Sequence, residues 1–367
     1  MGSTGGAEHF RARAEAMAEG VLFPAAAAVD RADRVPAAHL DLLAREGFYG
    51  VAAPPAEGGL GMADLATAGH LLEVLASGCL ATAFVWMQHH GAVLAAAASD
   101  RPGLRPRWLG PLARGERRAG IALAGVRPGA ASLRVRAEAS GFRLDGEAPW
   151  VTGWGLIDTV YVAARDAADV VHFLLLDAVA GETLRVTRQR LVAAHASNTV
   201  TLRFTDHQVP ADRLVSTQPY QQWAGGDAAG SALNGFLALG VARRCRQLLG
   251  SPESDTTAPD TTAPDTTAPD TTALDGELAA CRAALLAADA GATPAARAAA
   301  SELALRAAAQ LTVHTGSRAV LLDNAAQRLL REAGFLLVFG SRPGIRDALA
   351  ARLTTPTPTP TPAATSR

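Results

Sequence analysis

Lysine is absent from this sequence, so all 34 of its basic residues are arginine. Together with 35 acidic residues, they leave a formal net charge of −1 at pH 7. Nucleic acids and acidic membrane surfaces attract proteins that carry a marked excess of positive charge. The charge balance gives no basis for such binding, and we expect no nucleic-acid partner.

Cysteine is scarce as well, with only three residues, Cys79, Cys245 and Cys281. They are widely separated, so they make neither a disulfide framework nor the paired spacing of a metal site. A reducing cytoplasm is the simplest setting for such a chain. We therefore expect a cytoplasmic protein without a bound metal ion.

Long apolar runs are missing too. No stretch of roughly 18 consecutive apolar residues occurs, which predicts that no helix spans a membrane. The first six residues are polar and lack the basic run and apolar stretch of a secretory signal. We expect no signal peptide.

The chain has 367 residues, 49% of them hydrophobic, which is enough for two or three domains. Apolar residues recur at helical spacing over residues 8–118, and the helical pattern returns from about residue 228. Short β-prone runs separated by glycine or aspartate lie between them. This order predicts an α+β fold in which a β barrel or sandwich packs between two helical layers. The predicted domains are residues 1–118, 119–213 and 214–353.

Individual elements follow from the same patterns. The β-prone runs are residues 132–136, 141–144, 159–164, 170–176, 184–186 and 200–204. The C-terminal helices are predicted at residues 232–249, 274–288, 295–319 and 324–351, the last range holding at least two helices.

Two segments are low in complexity. Residues 255–275 repeat Asp-Thr-Thr-Ala-Pro, and a proline at every fifth position is incompatible with a helix. We predict a flexible linker over residues 251–275. The Thr-Pro tail, residues 354–367, is expected to be disordered.

Five short phrases resemble those of the acyl-CoA dehydrogenase family, in the family's order. Each phrase alone is weak, but five in order at plausible spacing are fairly specific. They are AREGFYGVAAP with EGGLG at residues 44–61, LARGE at 112–116, WVTG at 150–153, VPADRL at 209–214 and QRLLREA at 327–333.

This resemblance implies a fold, a cofactor and a reaction. The fold is an N-terminal helical domain, a central β barrel and a C-terminal helical bundle that mediates oligomerisation. The cofactor is FAD, which accepts a hydride from the β carbon of an acyl thioester while a base removes the α proton. The expected partners are an acyl-CoA or acyl-carrier thioester and further subunits, identical or homologous.

Four residues of the central domain are candidates for contacts with the flavin ring. Alternation along a strand places Trp150 and Thr152 on one face, where an indole and a hydroxyl donor can meet the ring. A core tryptophan and an ordinary strand threonine are the plainer alternative. Leu123 and Ala124 stand where the family has a loop that donates backbone N–H groups, although a simple Gly/Pro turn explains that stretch equally well.

The phrase that lines the dinucleotide across a subunit interface in the family is reduced here to VHTGSRA at residues 313–319, which leaves Gly316 as a candidate contact. The family's Arg-x-x-Phe-Gly phrase, which helps to hold the FAD diphosphate, should follow the helix that ends near Gly250. The repeat occupies that place instead.

The catalytic carboxylate is the clearest departure from the family. Counting from residues 331–333 puts the usual glutamate position at Gly340, and the alternative position on the first helix after the β domain falls at Gly230. Asp227 and Glu332 are the remaining carboxylates to consider, without a geometric reason for either. The catalytic residue is therefore left unassigned.

Several functions remain open from the sequence. The first is a flavin-dependent oxidoreductase of acyl thioesters with an unusual base or none. The second is a catalytically silent subunit that pairs with an active homologue, and the third is a flavin monooxygenase of the same fold. A helical scaffold without enzymatic activity is the fourth.

Overall fold

The computed structural model describes residues 3–62, 64–127, 132–227, 231–251 and 269–354, with side chains from residue 7 onward. Helices, an eight-stranded sheet and a second set of helices follow one another along the chain. The predicted α+β arrangement is therefore confirmed.

The N-terminal helices surround one long buried helix, α5. Apolar residues occur on nearly all sides of α5, and a helix of this kind is stable only when it is buried. Its first half packs among the other helices, and its second half, through Ala92, Val93 and Ala96, packs against the sheet. The helices are α1 (Ser3–Met17), α2 (Phe23–Arg31), α3 (Ala37–Arg45), α4 (Leu65–Gly78), α5 (Leu80–Ala98) and α6 (Gly110–Ala113).

The central sheet wraps around a single apolar core to which every strand contributes. Its strands run in the order β6-β7-β3-β2-β4-β5-β8, and β1 pairs in parallel with β4. They are β1 (Ala119–Ala122), β2 (Leu133–Glu138), β3 (Gly141–Val151), β4 (Thr159–Arg165), β5 (Val170–Asp177), β6 (Leu184–Arg188), β7 (Val200–Pro210) and β8 (Leu214–Pro219). The shared core contains Ala122, Leu133, Leu144, Val162, Leu174, Leu184, Leu202 and Leu214.

Two strands were not predicted from the sequence. β1 has only four residues, AGIA, which is too short to show a period. β8 follows the phrase that was predicted to end the β domain, so the sheet continues to Pro219 instead of ending at Arg213. β8 is held by backbone pairing with β5, and no local sequence pattern predicts this pairing.

The C-terminal helices are α7 (Tyr220–Asp227), α8 (Asn234–Leu249), α9 (Thr272–Ala287), α10 (Thr293–Thr315), α11 (Ala325–Val338) and α12 (Pro343–Thr354). α9 begins inside the segment predicted as linker. Most of the repeat, residues 252–268, and residues 355–367 of the tail lie outside the described residues. Among the described helices, none combines the length and the apolar character that a membrane crossing requires.

Glycine allows α4 and α8 to approach closely. A Cβ added at Gly240 of α8 would lie 2.5 Å from the carbonyl oxygen of Glu73 and 2.6 Å from the Cβ of Ala76. Both neighbours belong to a helix and cannot turn aside. A side chain at Gly240 therefore has to push the two helices apart.

We expect Gly240→Ala to lower the free energy of unfolding by about 1–3 kcal/mol, the usual effect of overpacking a core. The matched control is Gly276→Ala in α9, because a Cβ at Gly276 meets nothing within 4 Å. That control is expected to stabilise the protein by about 0.5–1 kcal/mol. Urea denaturation of both variants tests the contact, and equal midpoints for the two would contradict it.

Candidate functional site

The turn after β1 lies directly against β3. Leu123 precedes a short helical turn, Ala124–Val126, and Ala124 is the first residue of that turn. A Cβ added at Gly125 would lie 2.7 Å from the carbonyl oxygen of Glu147, and one at Gly120 would lie 2.9 Å from that of Thr152. The structure therefore brings the predicted backbone donors alongside the strand that carries Trp150.

Trp150 sits in an irregularity of β3. The pairing of β3 with β7 shifts register between Ala148 and Val151, and Trp150 has a left-handed backbone with φ of 64°. Its indole is 59% exposed, whereas Thr152 is only 2% exposed. The predicted shared face of these two residues is thus wrong, because the bulge breaks the two-residue alternation.

Thr152 belongs to a row of buried hydroxyl groups. Its Oγ1 lies 3.3 Å from Oγ1 of Thr199, which lies 2.9 Å from Oγ of Ser197. A hydroxyl has one proton and two lone pairs, so Thr152 can accept from Thr199 and keep its own proton for a ligand. A Cβ added at the next residue, Gly153, would lie 3.2 Å from Val85 of α5. The chain just after β3 is therefore close to α5.

Three distant segments meet through charged side chains beside this turn. Arg342, in the loop after α11, donates from Nε to Oδ2 of Asp227 at 2.5 Å. Arg127, which follows the turn after β1, places its Nε 3.6 Å from the same oxygen. Arg342 also donates from Nη1 to the carbonyl oxygen of Gly340 at 2.9 Å. The turn, the end of α7 and the loop after α11 therefore form one site.

Gly340, the predicted position of the base, lies within this loop. Its φ is +59°, and an added Cβ would lie 2.6 Å from Nδ2 of Asn234 and 4.0 Å from Nη1 of Arg297. Gly230, the alternative position, lies outside the described residues. Asp227 is the carboxylate that the fold joins to this loop through Arg342, a contact that no local pattern predicts.

Glu332 lies in a different environment. It is buried within the helices and accepts a hydrogen bond of 2.9 Å from Nη1 of Arg328, one helical turn earlier. Burial raises the pKa of its carboxyl group above the ordinary value, against the opposing effect of Arg328. Each member of the pair leaves the other without its charge partner if removed, and their spacing of four residues on one helix is the signal that the sequence offers.

Gly316 ends α10 with a left-handed backbone, and a Cβ there would meet nothing within 4 Å. The main packing partners of α10 are α8, α9, α11 and α12, so Gly316 belongs to the helical bundle rather than to the turn beside Trp150. Large apolar side chains around it face solvent. They are Val313, Val320, Leu321 and Leu322.

His89, one of the two adjacent histidines of α5, connects that helix to the sheet through hydrogen bonds. His89 bonds through Nε2 to the carbonyl oxygen of Leu112 at 3.1 Å, and its Nδ1 accepts from the backbone N–H of Ala119 at 3.0 Å. The two ring nitrogens of His89 therefore join α5 to α6 and to the start of β1.

The described residues fit the ring end of a flavin. A ring needs an aromatic or apolar wall and nearby donors. The exposed indole of Trp150 supplies the first, and the turn at Leu123 and Ala124, which can supply backbone donors, packs against the strand that carries it.

This arrangement of helices, wrapped sheet and helical bundle is that of the acyl-CoA dehydrogenase fold. The structure aligns with a glutaryl-coenzyme A dehydrogenase in complex with glutaryl-CoA at a TM-score of 0.80, covering 96% of both chains at 16% identity. It also aligns with a glutaryl-CoA dehydrogenase from Mycobacterium smegmatis in complex with FADH2, at a TM-score of 0.76 and 15% identity, covering 95% of this chain and 94% of that one.

Sequence comparison finds a similarity to the same family. Residues 4–116 match the model of the acyl-CoA dehydrogenase N-terminal domain. The short-chain specific acyl-CoA dehydrogenase of Bos taurus mitochondria is 28% identical over 211 residues, which is 54% of this chain and 50% of that protein. The chain thus spans about half the length of the curated relatives it matches. The chain is thus similar to acyl-CoA dehydrogenases in sequence over part of its length and in fold over nearly all of it.

Proposed function

We propose that this chain is a flavin-dependent oxidoreductase that acts on the CH–CH group of an acyl thioester, carried by coenzyme A or by a carrier protein in the cytoplasm. The observation that carries the proposal is the exposed indole of Trp150, held in a bulge beside the turn at Leu123 and Ala124. The family relationship and the shared fold support it.

The chain's own residues would bind and orient the reactants. FAD, when bound, supplies the atom that accepts a hydride. Trp150 would provide the aromatic wall beside the ring, and the backbone N–H groups of Leu123 and Ala124 would donate to its polar edge. The buried hydroxyl of Thr152 does not share the exposed face of Trp150, so we assign it no contact with the ring. Because residue 340 is glycine, we propose that the usual carboxylate base is missing, which leaves Asp227 as the nearest linked carboxylate.

A catalytically silent subunit is the second candidate. Gly316 occupies the position that the family uses at a subunit interface, and exposed Val313, Val320 and Leu322 surround it. Exposed apolar clusters of this kind mark protein contacts. Paired with an active homologue, a chain with glycine at residue 340 would complete a site without turning over itself. Co-expression with such a homologue should then yield a stable hetero-oligomer, whereas the chain alone should show little activity.

The first test is flavin binding itself. We expect the purified protein to bind added FAD and to shift its visible spectrum, and Trp150→Ala to weaken this binding about fivefold, since ring contacts contribute about 1 kcal/mol. Because the indole is exposed, the variant should keep the thermal midpoint of the wild type. Trp150→Phe retains a ring and should recover most of the affinity.

The control is Val192→Ala, which removes another exposed apolar side chain of the β domain. It is expected to leave FAD affinity unchanged. A wild-type protein that stays colourless with excess FAD would refute the proposed function. Consumption of oxygen with reduced flavin, without oxidation of an acyl thioester, would point instead to a monooxygenase.

A further inference from the structure

An arginine-rich surface lies where the turn after α2 meets the loop that follows β6. Arg188, the last residue of β6, donates from Nη1 to Oδ1 of Asp33 at 2.8 Å. Arg331 of α11 donates from Nη1 to Oδ1 of Asp30 at 3.1 Å and to the carbonyl oxygen of Val192 at 2.8 Å. These bonds join three segments that are distant in sequence into one surface.

Three further arginines of this surface lack a carboxylate partner. Arg31 ends α2, Arg34 lies in the turn after it, and Arg190 lies in the loop after β6. All three are exposed, and none forms an ion pair with another described residue. The surface therefore holds five guanidinium groups against the two carboxylates of Asp30 and Asp33, an excess of three positive charges. Because the whole chain has a formal net charge of −1, this excess is local.

The loop after β6 has a shape that its own contacts impose. Nε2 of His195 lies 3.0 Å from Nη2 of Arg188, which brings the two ends of the loop together. Ala194 and Asn198 have left-handed backbones, with φ of 52° and 44°. Such conformations persist only where the surrounding structure enforces them. Arg190 therefore projects from a loop that is already formed before a partner arrives.

The same loop is bonded to the end of β3, the strand that carries Trp150. The backbone N–H of Gly153 donates to the carbonyl oxygen of Ser197 at 2.8 Å. Nη1 of Arg34 lies 3.9 Å from the position of a Cβ added at Gly155. Gly155 follows Trp150 by five residues, which is at most about 18 Å along the chain. The arginine-rich surface is thus within reach of a flexible arm that ends at the candidate flavin site.

The composition of this surface favours a protein as its partner. The side chain of Val192 is 79% exposed among the arginines. Protein interfaces are apolar at their centre and enriched in arginine. A nucleic acid fits less well, because a chain with a net charge of −1 does not attract polyanions as a whole. Charge complementarity therefore indicates a protein with an acidic surface.

We propose that the arginine-rich surface docks an acidic carrier protein, which delivers the acyl thioester on its flexible pantetheine arm. This inference rests on the proposed function for the thioester and on the charge of the surface for the partner. Opposite charges across an interface steer the encounter and fix the orientation of the two proteins. A thioester of phosphopantetheine alone would gain nothing from this surface.

Two butyryl thioesters provide a matched pair of probes. One is attached to the acyl carrier protein of a dissociated fatty-acid synthase and the other to free phosphopantetheine, so they differ only by the acidic protein. We expect the FAD-treated full chain to bind the carrier-bound thioester at least about tenfold more tightly in a calorimetric titration, within the range of charge-steered association. This preference should shrink as the ionic strength rises.

The combined variant Arg34→Glu and Arg190→Glu should remove the preference. It should lower the association rate constant of the carrier protein at least about tenfold and leave the affinity for butyryl-phosphopantetheine within about twofold. Both side chains are exposed, so the thermal midpoint should stay near that of the wild type. The control is Arg101→Glu, which reverses an exposed arginine beside Thr217 of β8, at the opposite end of the strand order from β6. It should change neither affinity.

A second measurement uses the carrier protein without its arm. It should still bind the wild type, more weakly than the loaded form, and should lose this binding to the combined variant. This readout is independent of the thioester.

The outcomes separate the two proposals. Equal affinity for both thioesters, with no effect of the combined variant, would overturn the docking surface and leave the proposed function intact. If the arm-free carrier protein bound as tightly as the loaded one and butyryl-phosphopantetheine did not bind, the surface would stand and the proposed function would be refuted. If duplex DNA or anionic phospholipid vesicles bound more tightly than the carrier protein, and the combined variant lost that binding, the inferred partner would be wrong.

Discussion

Gly340→Glu is expected to raise the rate of dehydrogenation of a saturated acyl thioester by about 10²–10⁴-fold, the usual contribution of a general base. The wild-type chain has no side chain at this position, so the α proton would leave without a positioned carboxylate. A glutamate here would extend from the loop that Arg342 ties to Asp227. Flavin reduction by butyryl-CoA under anaerobic conditions measures the effect directly.

The substitution has a structural cost that can be controlled. The left-handed backbone at Gly340 disfavours any other residue by about 1–2 kcal/mol, and the new Cβ would approach Nδ2 of Asn234. That atom ends a flexible side chain, and Asn234→Ala in the same protein relieves the contact. Gly340→Gln has the same size without a base and should remain as slow as the wild type.

Asp227 offers the competing explanation. If the wild type already turns over and Asp227→Asn abolishes the activity, Asp227 is the base and Gly340→Glu should add little. If Gly340→Glu and Gly340→Gln change the rate of flavin reduction equally, the effect does not come from a carboxylate base, and the proposal of a missing base is wrong. A rate increase that depends on the glutamate carboxylate supports the loss of the base in this chain.

Arg328→Met is expected to lower the free energy of unfolding by about 3–5 kcal/mol, because it leaves Glu332 as a buried charge without its partner. Glu332 is 4% exposed, and one of its carboxylate oxygens, Oε2, already has no hydrogen-bond partner within the described parts of the chain. Methionine fills most of the space of the lost side chain, so the effect is mainly electrostatic. Urea denaturation at pH 7 measures it.

The loss should depend on pH in a defined direction. Burial raises the pKa of Glu332 in the folded chain above its ordinary value. The folded state therefore binds a proton more readily than the unfolded state, and stability falls as the pH rises through the interval between the two values. Arg328 opposes this rise in the pKa of Glu332. Its removal therefore raises the folded-state pKa further and widens the interval between the folded-state and unfolded-state pKa values. Arg328→Met should thus regain part of its stability near pH 5.

The matched control removes both charges. Arg328→Met with Glu332→Leu should recover most of the lost stability, because replacing a whole buried pair with apolar residues is often neutral or favourable. A double variant as unstable as the single one would show that packing, not the isolated charge, causes the loss. A pH-independent loss in Arg328→Met would lead to the same conclusion.

The sequence was sufficient for the domain order and most elements. The helix predicted at residues 232–249 is α8, Asn234–Leu249, and the helix predicted at 274–288 is α9, Thr272–Ala287. Their apolar spacing is local, so it can be read without the rest of the chain. β8 was missed because its pairing partner, β5, lies far away in sequence.

The features of the candidate site likewise fall into two groups, those that the sequence predicts and those that depend on the fold. Short phrases with fixed local spacing were enough to locate the turn at Leu123, the tryptophan at residue 150 and the glycine at residue 340, and to relate the chain to a family. The exposure of Trp150 depends on a register shift against β7, and the cluster of Arg127, Arg297 and Arg342 joins side chains from three parts of the chain. Pairing shifts and charge clusters arise from contacts between distant segments, which leave no periodic trace in the sequence. Only the folded structure decides them.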